Sequence, residues 1–76
     1  MAALIDDTPE EIKRGKALRM AMTMRDKLPG VFAKELDISA ATMSKWRQHG
    51  KYKIRDAAAI ASRLGFTEEA FLALGE

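Results

Sequence analysis

Apolar residues along this chain recur three and four positions apart, which is the spacing of an amphipathic helix. Leu18, Ala21 and Met22 form one stripe, with Ala17, Met20 and Met24 beside it. Val31, Phe32, Ala33 and Leu36 form a second, Met43 and Trp46 a third, and Ala57, Ile60, Ala61 and Leu64 a fourth. Phe71, Leu72 and Leu74 make a short fifth run. No stretch of useful length alternates strictly as a half-buried strand would. The pattern predicts an all-α, compact five-helix domain.

Residues at the joints sharpen these boundaries. Thr8-Pro9-Glu10-Glu11 has the form of a capping box, with proline at the first helical position, where its missing N–H costs nothing. The first helix therefore starts there and runs to about Arg25. Leu28-Pro29-Gly30 interrupts it, and a second helix is expected from Gly30 to Leu36. Asp37 then sits where the chain must turn sharply, and aspartate tolerates the left-handed conformation better than most residues. Ser39 is an N-cap candidate for a third helix from Ala40 to about Gln48, which Gly50 ends. Gly65 ends the fourth helix. Thr67 caps the fifth, with Glu68 and Glu69 in its first turn and Phe66 and Phe71 spaced as a hydrophobic staple. Residues 1–7 show no sustained periodicity and are expected to form a flexible lead, although Leu4 and Ile5 have the character to dock on a neighbouring surface. Residues 8–76 are expected to form a single domain. Gly15 costs about 1 kcal/mol relative to alanine inside a helix, so it marks either close helix packing or nothing in particular. The four methionines from Met20 to Met43 are expected to fill the core.

Composition narrows the chemistry. A chain of 76 residues has room for one core and little else. It holds no cysteine and one histidine, His49, which excludes disulfides and a thiolate or multi-histidine metal centre. No cofactor and no small-molecule ligand are expected. No apolar run approaches the roughly 18 residues of a membrane span, and Met1 to Asp7 lacks the pattern of a signal peptide, so the expectation is a soluble, cytoplasmic protein. Nucleophilic catalysis has no base near Ser39 or Ser44 in sequence, and an enzyme is the weakest reading.

The net charge of +2 hides an asymmetry. Residues 1–12 carry four acids and no base, and residues 56–76 carry four acids against Arg63. Between them, twelve Lys or Arg stand against Asp26, Glu35 and Asp37. A basic centre between acidic ends fits a middle that faces nucleic acid. On the third helix Ala41, Ser44, Lys45 and Gln48 share one outward face, small and polar, because residues three, four and seven apart are neighbours. Lys13, Arg14, Lys16 and Arg19 suit either a phosphate backbone or a solvated helix face equally well.

The stretch Phe32-Ala33-Lys34-Glu35-Leu36-Asp37-Ile38-Ser39-Ala40-Ala41-Thr42-Met43-Ser44-Lys45-Trp46 resembles the helix-turn-helix of the lambda repressor and Cro family. The resemblance continues through Ile60-Ala61-Ser62-Arg63-Leu64-Gly65-Phe66-Thr67 and spans about Leu28 to Gly75. Asp37 stands where the family usually has glycine, and Pro29-Gly30 where its second helix often opens on a polar residue. The resemblance implies a lambda-repressor-like fold in which Ala33, Leu36, Ile38, Met43 and Trp46 fix the angle between the two helices. It further implies that Ser39, Ala40, Ala41, Ser44, Lys45 and Gln48 contact bases in the major groove.

Phosphate contacts are then expected from the amides of Gly30 and Val31, from Thr42, and from the basic loop Lys51, Tyr52, Lys53 and Arg55. The implied function is a transcriptional regulator, foremost a repressor of phage, plasmid or bacterial type, that binds double-stranded operator DNA as a homodimer. Dimer contacts are expected from the last helix through Phe71 and Leu74. Two rivals use the same scaffold: a protein-interaction module of antitoxin or adaptor type, and an architectural DNA binder of weak sequence preference.

Overall fold

The computed structural model describes residues 8–76 and builds them as five helices with no strand among them. Expectations for residues 1–7 lie outside the described residues. The helices are α1 (Pro9–Met24), α2 (Pro29–Glu35), α3 (Ala40–His49), α4 (Ile54–Leu64) and α5 (Glu68–Ala73). α1 begins as its capping box requires: the Thr8 hydroxyl accepts from the Glu11 amide at 3.1 Å, and the Glu11 carboxylate accepts from the Thr8 amide at 2.9 Å. Ser39 and Thr67 cap α3 and α5 in the same sense, accepting from Thr42 N–H at 3.0 Å and Ala70 N–H at 3.1 Å. Each such cap contributes about 1 kcal/mol by pairing an amide that the helix itself leaves open.

Three helix ends share one closing geometry. A residue with positive φ follows the helix, and the next amide reaches back five residues: Lys27 to Met22 O, Ile38 to Ala33 O and Phe66 to Ala61 O, at 2.8, 3.0 and 2.8 Å. Gly65 supplies the left-handed residue after α4, whereas Asp26 and Asp37 supply it after α1 and α2, at φ 54° and 58°. Asp37 turns the chain where the sequence predicts. Asp26 does so two residues before Leu28, so α1 stops at Met24, one residue short of the expected Arg25, and Pro29 becomes the first residue of α2 instead of its preface.

The core gathers Leu18, Ala21 and Met22 from α1, Phe32 and Ala33 from α2, Met43 from α3, Ala57, Ile60, Ala61 and Leu64 from α4, and Phe71 from α5. Burying one side chain of this size stabilises the fold by about 1.5–3 kcal/mol. Leu36, Ile38 and Trp46 pack against its margin, as the helix pair needs. Two methionines depart from the expectation: Met20 is 40% exposed and Met24 55%, because their stripe rolls past the edge of the surface that α3, α4 and α5 cover. Only Met22 and Met43 of the four fill the core.

α1 lies against α3, α4 and α5, and its closest approach is to the end of α3. A Cβ on Gly15 would stand 3.1 Å from the Arg47 carbonyl oxygen and 3.2 Å from the Gly50 nitrogen. A Cβ on Gly50 would stand 1.8 Å from the Glu11 carbonyl oxygen, and Gly50 also has φ +63°. Gly15 therefore marks close packing, and Gly50 both ends α3 and admits α1 against it. Gly50→Ala is expected to cost more than about 3 kcal/mol, since it combines a backbone clash with a strained φ, whereas Asp37→Gly changes stability by no more than about 1 kcal/mol and in the favourable direction. Urea unfolding midpoints of the two variants check this.

Candidate nucleic-acid interface

The residues expected to face outward on α3 do so. Ala40, Ala41, Ser44, Lys45 and Gln48 are all exposed, while Met43 points into the core and Trp46 packs at its margin. Ser39 is exposed at the cap, but its hydroxyl is engaged twice with Thr42, accepting from the amide and donating to the Thr42 hydroxyl at 2.9 Å. The Gln48 amide donates to the Ser44 hydroxyl one turn earlier at 3.3 Å, so two of the outward polar side chains hold each other across the face. Lys45 projects beside them. Thr42 is half-buried and lies toward one edge.

At the start of α2, Gly30 is exposed with nothing within 4 Å of where its Cβ would lie, and Val31 is 49% exposed. Leu28 provides no side-chain cap, and the first amide to close onto the helix is that of Phe32, onto Leu28 O at 2.9 Å.

The loop after α3 divides in two. Lys51, Lys53 and Arg55 are exposed, as a basic rim requires. Tyr52 is not part of that rim. It is 4% exposed, its hydroxyl donates to the Arg14 carbonyl at 2.7 Å, and its ring meets Trp46 at 5.5 Å between centroids. In return the Arg14 guanidinium donates to the Tyr52 carbonyl at 3.2 Å. The aromatic residue in the basic loop is therefore a tether between the loop and α1, and its buried ring and engaged hydroxyl do not face outward as the expected phosphate contact requires. The alternation of Lys51, Tyr52 and Lys53 already carries this inside-outside switch, but a basic run read for its charge conceals it.

Other arginines donate to main-chain carbonyls in the same way. Arg19 donates to the carbonyl of Arg47, and Arg25 to the carbonyl of Leu64 at 2.7 Å while its guanidinium lies 4.2 Å over the Phe66 ring. Leu64 is the last residue of α4, so Arg25 satisfies a helix-end carbonyl that α4 leaves open and favours the negative end of its dipole. Of the four basic residues from Lys13 to Arg19, Arg14 and Arg19 donate to the loop after α3 and to α3 itself, although Arg19 stays exposed like Lys13 and Lys16.

Phe71 is also reassigned. It is fully buried in the core of its own chain, so it has no surface left for a dimer contact through α5, and Leu74 is partly buried against the same core. Among the described residues the large exposed apolar side chains lie elsewhere, on α1 and at the start of α2. No helix among the described residues is long and apolar enough to cross a membrane. No protein-family model matches the chain, and no match is found among curated proteins or solved structures.

Burial raises the Tyr52 phenol well above its ordinary value, an effect that the nearby Arg14 partly offsets. The unfolded chain releases this proton near pH 10 while the folded chain keeps it, so the stabilisation is complete below pH 10 and falls as pH rises beyond it. Tyr52→Phe should lose about 1 kcal/mol at pH 7, the worth of the bond to Arg14. The deficit should narrow above pH 10, as thermal melts of the two proteins across pH 7–11 would show.

Proposed function

We propose that the chain is a sequence-specific double-stranded DNA-binding regulator of transcription, foremost a repressor, that lays α3 in the major groove. The observation that carries this reading is the division of α3 into two sides. One side is fixed by backbone contact with α1 and by Met43 in the core; the other presents Ala40, Ala41, Ser44, Lys45 and Gln48 to solvent after a tight four-residue turn. In this role Lys45 donates to guanine O6 and N7, Gln48 pairs with adenine or a phosphate, and the alanine methyls meet thymine. Ser39, engaged in its cap, stands at the edge of that set. Thr42, Lys51, Lys53 and Arg55 follow the phosphates on either side and supply affinity without sequence information. Two protomers on a palindromic operator place their α3 helices in successive major grooves about 34 Å apart and exclude polymerase by occupancy.

A second reading, a protein-interaction module, is favoured by one observation: Met20, Met24, Leu28 and Val31 are exposed apolar residues on α1 and around the start of α2. Binding to the DNA upstream of the chain's own gene and to a scrambled duplex, over a salt series, separates the two. A specific regulator prefers its own site by about 10³-fold or more, and both affinities fall with salt. Equal binding to the two duplexes points to an architectural binder, and absence of binding at low salt leaves the interaction module.

Within the DNA reading, Lys45→Ala is expected to change which sequences are preferred at a cost of about 1–3 kcal/mol, while Lys53→Ala weakens all sequences alike and lowers the salt slope by about one. Selection from a randomised duplex pool with each variant checks the distinction, which fails if the two proteins select alike.

A further inference from the structure

Where the C-terminal half of α1, the start of α2 and the last turns of α3 meet, the surface folds into an open concavity of about 230 Å³. Its polar lining is Arg19, Thr23, Asp26, Lys27 and Arg47, three cations against one carboxylate. Lys27 is already paired, its ammonium 2.8 Å from Glu35. Arg19 reaches across to the Arg47 carbonyl, so the guanidinium of α1 is held at the concavity by the backbone of α3 and not by an acid. Arg47 is the anomaly. Its Nε is buried and has no hydrogen-bond partner among the described residues, while the residue as a whole is only partly buried and lines the concavity.

With Lys27 paired to Glu35, Arg19 repeats the charge of Arg47, and Asp26 is the one carboxylate in the lining. Asp26 is exposed, and its place in the left-handed turn after α1 is set by the backbone. Two guanidiniums beside a threonine hydroxyl fit the oxygens of a phosphate, which planar forks hold in pairs. Arg47 follows Ser44 by three residues, so the concavity adjoins the exposed face of α3.

We propose that this concavity binds one phosphate group through Arg47 and Arg19. Free phosphate and a phosphodiester of the DNA backbone share the required chemistry. Assignment of the backbone phosphate flanking the groove rests on the DNA-binding reading above; the anion site itself does not.

The test uses the full chain, ¹⁵N-labelled and titrated with inorganic phosphate against sodium chloride at matched ionic strength. The Nε–Hε resonances of Arg47 and Arg19 are expected to shift saturably with phosphate alone, and the Arg19 shift is expected to vanish in Arg47→Met. Unmoved resonances overturn the site. On DNA, Arg47→Met and Arg19→Gln, each first shown to melt cooperatively, are expected to lower the slope of log affinity against log salt by about one, with the order of preferred sequences kept. Their deficit then shrinks by about threefold between 50 and 200 mM salt. Wild type that binds DNA alongside variants that keep its full slope overturns the backbone assignment while the DNA reading stands. Phosphate shifts in a chain that binds no duplex sink the DNA reading and leave a site for free phosphate.

Discussion

Two backbones that touch with no side chain between them set the geometry of this molecule. Gly15 on α1 and Gly50 at the end of α3 bring the helices within contact of each other's main chain, closer than any residue with a Cβ allows without displacement. Around this crossing the remaining contacts are reciprocal. Arg14 and Tyr52 exchange hydrogen bonds across 38 residues of sequence, and Arg19 reaches the carbonyl of Arg47 from the same helix. The third helix is therefore held by its inner side and its end, which leaves the opposite side unencumbered.

The basic middle of the chain turns out to hold two populations. Arginines 14, 19 and 25 spend donors on main-chain carbonyls of the third helix, the loop after it and the end of the fourth helix. A planar guanidinium suits this work, since it presents several donors in fixed directions while its stem lies along apolar surface. Lys13, Lys16, Lys45 and Lys53 are exposed, and their flexible ammonium groups contribute charge without geometry. The positive field is common to both, but only the arginines also build the fold.

Much of the fold was legible from residue order because it is written in local chemistry. The Thr8 and Glu11 box, the Ser39 and Thr67 caps, the Gly50 and Gly65 ends and the stripe from Ala57 to Leu64 each depend on a few adjacent residues, and each forms as read. Where the reading failed, the deciding partner was distant in sequence. Tyr52 looked like a basic-loop residue until Arg14, 38 positions earlier, supplied a carbonyl for its hydroxyl. Phe71 had the composition of an interface residue, yet the core of its own chain buries it. Met20 and Met24 lie on a helical stripe whose outer edge no other helix reaches. Asp26 was missed for a different reason: a left-handed aspartate has no strong local mark, although the end of the first helix was read to within one residue. The exposed set on α3 was read correctly, since one buried face on a helix fixes the other. What that set contacts is not encoded by any periodicity within one chain.

The glycine crossing has a consequence for how such a domain changes over evolutionary time. The side chains of Ala40, Ala41, Lys45 and Gln48 are exposed and no core position rests on them, while the orientation of their helix is held from behind by main chain that substitution at those positions does not alter. Frame and face are thus separable. Drift at the outward positions meets little resistance from folding, whereas Gly50 tolerates almost none. The same division gives a protein of this size an interchangeable surface on an unchanging mount.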